Sequence, residues 1–398
     1  MSLSSKLERG LRHAWLRLLE RLINRKPLNP ADLPHNKIRR ILIIPEQDQL
    51  GELLLATPVF RAVRQHFPKA YIAVLAQSYP AQILYNNVYL DEVICFFDKF
   101  NNWSLNKVFH FVKRLRSKFD LAIVLNTVSH SLTRDLLTYF SGAKIILGSE
   151  HLIFKECKRN FFYNLLAPYS DSNKHQTEKN LDVVRFIHVD IEDKSEAISL
   201  TQEEKKCAIK FLYEHGLKPN DLILAIHLSN GKIGNRWDLE NFVEVAKYFS
   251  SKYNAKIIVS WQPNESILGQ DFINSLPFRP VTAIGLNLRE YAAIISFCNL
   301  IFCYDTAIMH LAASVGTPLI AIFGSSAPEQ SKPIGKQFVA LKGINGECNS
   351  VSVNQAIEAA ENLLKAMSKS MKIEAEDFDI TEQVLEQYLN ILNTFEKK

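Results

Sequence analysis

Short β-rich apolar runs alternate with helix-length stretches twice along the chain, and this alternation constrains the fold more than any other feature. The first series holds Ile41–Ile44, Tyr71–Ala76 and Leu121–Leu125, and the second Leu222–Leu228, Lys256–Trp261, Leu300–Tyr304 and Pro318–Phe323. Strands that read as continuous apolar runs are covered on both faces, so strand–helix alternation predicts mainly parallel sheets packed between helices. A polar, charged stretch from Tyr169 to Lys206, with His175 to His188 at helical spacing, separates the two series. At 398 residues the chain also exceeds what one hydrophobic core supports. The expectation is an α/β protein of two Rossmann-like domains facing a central cleft, at 37–200 and 201–345, preceded by a helix and linker at 1–36 and followed by helices and a tail at 346–398. Lys369–Lys398 reads as a charged terminal helix with a loop before it.

Charge is distributed unevenly. Residues 1–40 carry ten Lys or Arg against three acids, which is +7 of a whole-chain +5, so the remainder sums to −2. A body of that charge excludes a broad nucleic-acid-binding surface. The basic excess lies on an N-terminal helix in which Leu3, Leu7, Leu11, Trp15, Leu18, Leu19 and Leu22 form an apolar stripe and Arg9, Arg12, Arg17, Arg21 and Arg25 fall mostly outside it. Two readings fit: a helix lying in an anionic membrane interface, or one docked on its own protein. No stretch is long and apolar enough for a membrane span. The helix lacks a cleavable signal core, and Pro27, Pro30 and Pro34 end it in a linker. Six scattered cysteines without a C-x-x-C pair predict neither zinc site nor disulfide framework, and fit a reducing cytoplasm.

Chemistry-bearing residues cluster where predicted strands end. After the first strand come Asp48, Gly51 and Glu52, then Thr57 and Pro58. Glycine there permits a tight turn or close approach of substrate. A carboxylate in a first helical turn suits catalysis, and equally suits the helix dipole alone. In the second series a strand runs into Ser229, Asn230, Gly231, Lys232, Arg236 and Trp237. Small polar residues beside two cations fit a diphosphate, and equally a solvated loop. Glu265 follows the strand ending at Trp261. Asp305 and Thr306 precede a predicted helix that contains His310, so they are placed to cap it and leave first-turn N–H groups for an anion. Asp377-Phe378-Asp379 has the form of a metal-binding D-x-D but lies outside both sheet patterns.

Three of these segments resemble the signatures of glycosyltransferase family 9, the lipopolysaccharide heptosyltransferases. The opening Asp48-x-x-Gly51-Glu52 … Thr57-Pro58 is similar to the family's first motif. Lys232-x-x-x-Arg236-Trp237-x-x-x-x-Phe242 is similar to its donor loop. The block from Asp305 through His310, Leu311, Ala312, Ala313, Gly316, Thr317 and Pro318 to Gly324 is similar to its longest motif. The resemblance spans about residues 38–366. It implies a GT-B fold and an inverting, metal-independent transferase without a cofactor. Glu52 would be the general base, with Asp48 as second candidate and Gly51 on the acceptor side. Ser229, Asn230, Lys232, Arg236, Glu265, Asp305, Thr306, Ala307 and His310 would hold a nucleotide-sugar donor, ADP-heptose by the family's usage. The acceptor would be a lipid-linked glycan such as a lipopolysaccharide core, and the protein would sit on the cytoplasmic face of the inner membrane. The chain departs from the family pattern at Glu52, where aspartate is more frequent, at Asn235 in place of lysine, and at Ala307 in place of glycine. Two rival readings share the donor site: a GT-B nucleotide-sugar epimerase, and a non-catalytic glycan-binding member.

Overall fold

The computed structural model describes residues 14–23, 25–45, 49–96, 104–127, 131–151, 153–155, 157–230 and 236–377, the side chains of 368–377 excepted. The chain divides into two compact units, 1–194 and 195–398.

In the first unit, β1 (Arg40–Ile44), β2 (Tyr71–Gln77), β3 (Glu92–Phe96), β4 (Leu121–Val124), β5 (Ile145–Ser149) and β6 (Leu165–Ala167) form one sheet in the order β3-β2-β1-β4-β5-β6. Every neighbouring pair is parallel. The second unit repeats the plan with β7 (Ile223–His227), β8 (Lys256–Ser260), β9 (Val281–Thr282), β10 (Leu300–Tyr304), β11 (Leu319–Phe323) and β12 (Phe338–Lys342), ordered β12-β11-β10-β7-β8-β9 and again parallel throughout. Counted within its own unit, each sheet has the order 3-2-1-4-5-6 of the doubly wound nucleotide-binding fold. The central strands β4, β7, β10 and β11 are buried along their whole length, which is why they read as unbroken apolar runs.

Local chemistry explains several boundaries. Gly148 in β5 faces the Tyr163 ring, where a Cβ would come within 2.4 Å. The helix Gln202–Glu214 opens with a capping box of Thr201 and Glu204. Glu204 also reaches Arg289, whose other N–H group lies 2.7 Å from the second carboxylate oxygen, and this pairing holds the Glu204 carboxyl down at about 2. Arg289 further donates to the Ser199 carbonyl at 2.6 Å, and the Ile198 N–H donates to Ser314 at 3.1 Å. These ties fasten residues 195–204 to the second unit. The helix Val353–Asp377 runs through Lys369 without the loop expected before it, because no Gly or Pro interrupts the sequence there. Ala356, Ala360 and Leu363 of that helix join the second unit's core.

Residues 14–22 are helical. Leu16 and Ile23 are buried in the first unit's core, Leu19 packs partly against it, and Arg25 donates to the carbonyls of Ala143 at 3.1 Å and Lys144 at 3.2 Å. Trp15, Leu18 and Leu22 remain exposed. The two readings of this segment therefore do not exclude each other: one edge docks on the protein, and a second apolar stripe faces outward. Leu3, Leu7 and Leu11 lie outside the described residues.

Candidate functional site

Between β7 and β10 the order of the second sheet reverses, so their chain exits diverge and leave a crevice at the carboxyl edge. The donor-side candidates collect there. Ser229, just past β7, is buried, and its hydroxyl accepts the Gln262 N–H at 2.7 Å, pinning the β7 and β8 exits side by side. That brings Glu265 to Arg236, and the two form an ion pair. Arg236 also donates to the Asn230 carbonyl at 3.2 Å. Among the described residues, Arg236 Nε and Glu265 Oε2 are buried without a hydrogen-bond partner. Buried polar atoms are nearly always satisfied, so two orphans on one ion pair mark where a polar ligand would complete the set.

Trp237 anchors this loop. Its indole N–H donates to the Val351 carbonyl at 2.7 Å, its own carbonyl accepts from the Tyr304 hydroxyl at 2.9 Å, and its ring meets Phe242 edge-on at 4.8 Å. The tryptophan next to Arg236 is thus a fixed post that ties the loop to the end of β10.

At the β10 exit the structure corrects the capping expectation. Thr306 occupies the N-cap of the helix Ala307–Ser314 but makes no side-chain cap bond; its hydroxyl leans toward the Tyr304 carbonyl at 3.5 Å. The Asp305 carboxylate is engaged elsewhere, accepting from Ser326 in the turn after β11 and from Ser331 at 3.4 Å. Ala307 opens the helix. His310 is buried, with Nδ1 2.9 Å from Glu196, a contact that fixes the ring. Asn230, Asp305, Ile322, Gly324, Ser325, Ser326 and Cys348 line a small recess of about 20 Å³. Lys342, at the end of β12, donates to the carbonyls of Gly324 and Ser326 and so holds the rim. Gly343 follows it, where a Cβ would fall 1.9 Å from the Glu347 carbonyl, so only glycine fits.

Behind the crevice, His227 Nδ1 lies 2.9 Å from Ser260 Oγ, which lies 2.7 Å from the Tyr291 hydroxyl. Burial pushes His227 down to about 4, so this chain is uncharged at neutral pH.

In the first unit, β1 leads to the short helix Leu50–Leu55, which carries Gly51 and Glu52, both half-buried, in its first turn. The Thr57 hydroxyl donates to the Leu54 carbonyl at 2.7 Å, and Pro58 starts the next helix, Thr57–His66. The Leu55 carbonyl accepts from Thr177 and Asn180, each at 3.3 Å, so the helix Gln176–Arg185 clamps the base of this turn. Asp48 and Lys232, together with the departure at Asn235, lie outside the described residues. Among the described residues no cluster of His, Cys, Asp and Glu could hold a metal ion.

Sequence reasoning missed Ser326, Lys342 and Glu196. Ser326 had a signal, since it follows Gly324 at a strand's carboxyl end. Lys342 and Glu196 had none, because each meets the site only through the tertiary fold.

The family model for glycosyltransferase family 9 (heptosyltransferase) matches residues 108–360. Lipopolysaccharide heptosyltransferase 3 of Escherichia coli is 26% identical over 284 residues, covering 69% of this chain and 81% of the relative. The crystal structure of a family 9 glycosyl transferase from Veillonella parvula superposes with a TM-score of 0.71 at 23% identity, over 82% of this chain and 98% of that one. E. coli heptosyltransferase WaaC with ADP superposes at 0.66 and 16% identity, over 81% and 99%. With its two doubly wound units and a family match across well over half its length, the chain belongs to glycosyltransferase family 9, the heptosyltransferases, and is a glycosyltransferase of GT-B fold.

Proposed function

We propose that this protein transfers heptose from ADP-heptose to the core of a lipopolysaccharide or a related lipid-linked glycan, with inversion at the anomeric carbon. The single observation that carries the donor side is the Arg236–Glu265 pair, each partner keeping one buried polar atom unsatisfied among the described residues, at the carboxyl edge of a doubly wound sheet. Glu265 then accepts from the ribose hydroxyls, and Arg236 faces the diphosphate. The N–H groups at the start of the helix Ala307–Ser314 add their partial positive charge. ADP, the nucleotide held by WaaC, and heptose, the sugar named for the E. coli relative, support the donor's identity.

In the reaction, Glu52 takes the proton of an acceptor hydroxyl as its oxygen attacks the anomeric carbon. The bond from that carbon to the diphosphate oxygen breaks, and the electron pair leaves with ADP, stabilised by Arg236 and the helix amides. No metal takes part. The acceptor is embedded in a membrane, and the outward stripe of Trp15, Leu18 and Leu22 with Arg17 and Arg21 holds the enzyme at the cytoplasmic face of the inner membrane. Among the described residues no helix is long and apolar enough to cross a membrane.

Nucleotide-dependent melting tests the donor reading. A ligand at a hundredfold excess over its Kd stabilises the folded state by about 2.7 kcal/mol, so ADP is expected to raise Tm by several degrees and more than GDP or UDP does. Asp305→Ala frees the Ser326 turn and should shrink that rise. An ADP response no larger than that of GDP and UDP would overturn the assignment.

A further inference from the structure

The helix Leu105–Leu115 in the first unit is amphipathic, yet most of its apolar arc is turned away from the protein. Phe111 and Leu115, at one edge of the arc, pack into the core cluster. Leu105, Val108, Phe109 and Val112, at steps of three and four residues, face outward, with Leu105 90% and Phe109 66% exposed. Single exposed apolar residues are ordinary, but four in one helical stripe are not. The charge of the segment itself has one sign. From Lys99 to Phe119 the sequence holds six Lys or Arg and no acid. Lys107, Lys113, Arg116 and Lys118 are exposed, and Arg114 is held by Glu92.

The N-terminal helix repeats this arrangement. Its inner residues Leu16 and Ile23 enter the same core cluster as Phe111 and Leu115, and Trp15, Leu18 and Leu22 point outward beside Arg17 and Arg21. The acid among its described residues, Glu20, is occupied by the backbone N–H groups of Lys158 at 2.9 Å and Arg159 at 3.2 Å. Each helix thus buries one edge in a shared core and presents an apolar stripe bordered by cations.

We propose that the helix Leu105–Leu115 is a second membrane-docking element, which with the N-terminal helix seats the first unit on an anionic lipid surface. This rests on the reading that the acceptor is lipid-linked. An apolar stripe with a cationic border is complementary to a surface of acyl chains beneath anionic headgroups, where the hydrophobic and electrostatic contributions add. Two elements also bind more tightly than one, because the first contact raises the effective concentration of lipid at the second.

Co-sedimentation of the full chain with phosphatidylethanolamine–phosphatidylglycerol vesicles, against phosphatidylcholine vesicles, tests this. The variant Leu105→Ser with Phe109→Ser is expected to lower the partition coefficient about tenfold or more, since both side chains are exposed and their loss leaves the fold intact. Lys113→Glu with Arg116→Glu should lower it similarly, and added salt should weaken binding of the parent chain. Val88→Ser, another exposed apolar position, should leave binding unchanged. Undiminished vesicle binding by both double variants would overturn the proposal. So would a parent dimer that Leu105→Ser with Phe109→Ser dissociates while neither protein binds vesicles. Transfer to a deacylated, water-soluble acceptor, measured in parallel, should be the same in the parent chain and these variants. Absence of that transfer in the parent would count against the acceptor reading and leave the vesicle result standing by itself.

Discussion

Replacing Glu52 by glutamine is expected to lower turnover by about 10²–10⁴-fold while ADP affinity stays close to that of the parent. The amide keeps the shape of the side chain but cannot take the proton of the attacking hydroxyl. Glu52 sits in the first turn after β1, in the first unit, whereas the donor candidates lie in the second, so the substitution should leave donor binding alone. Glu52→Asp probes the extra methylene: aspartate restores the family's more frequent residue with its carboxylate drawn back, so partial activity is expected. Steady-state rates with an ADP titration on each variant provide the check. Full turnover by Glu52→Gln would remove Glu52 as base.

Arg236→Ala should have the next largest effect, a loss of about 10²–10³-fold in kcat, as for removal of one preorganised stabiliser of a developing negative charge. Donor affinity should fall as well. Without Arg236, the Glu265 carboxylate, only 12% exposed, remains near the diphosphate site as an unpaired negative charge. Arg236→Lys should recover only part of the activity, because an ammonium cannot serve Asn230, Glu265 and a ligand through a rigid fork. Melting temperatures of the variants separate a folding defect from a donor defect. ADP affinity and kcat equal to those of the parent would take Arg236 out of the donor site.

Both sheets were legible in the sequence because their central strands are buried on two faces and leave unbroken apolar runs, as in β4, β7, β10 and β11. The strands that escaped notice carry less signal. β3 and β12 are half-exposed along most of their length, β6 has three residues and β9 two, and the apolar run of β5 is broken by Gly148. The site was legible wherever a residue's role depends on its place at a strand exit, as for Ser229, Glu265 and Asp305. Its hydrogen bonds were not. Asp305 looked like a cap from spacing alone, but the turn after β11 brings Ser326 to it, and sequence distance hides that neighbour. His310 carried no hint of Glu196, which lies 114 residues away. The N-terminal stripe was visible as a stripe, but amphipathicity cannot say how much of an apolar arc the protein covers itself; Leu16 and Ile23 are inside and Trp15, Leu18 and Leu22 outside.

Transfer of heptose from ADP-heptose to a lipid-linked glycan can be read out by incubating the full chain with ADP-heptose and a heptose-deficient lipopolysaccharide core, then measuring acceptor mass and released ADP together. The acceptor is expected to gain one heptose for each ADP released, through a linkage of inverted anomeric configuration. Conversion of the sugar nucleotide without acceptor, or transfer from another nucleotide sugar while ADP-heptose stays inert, would contradict it.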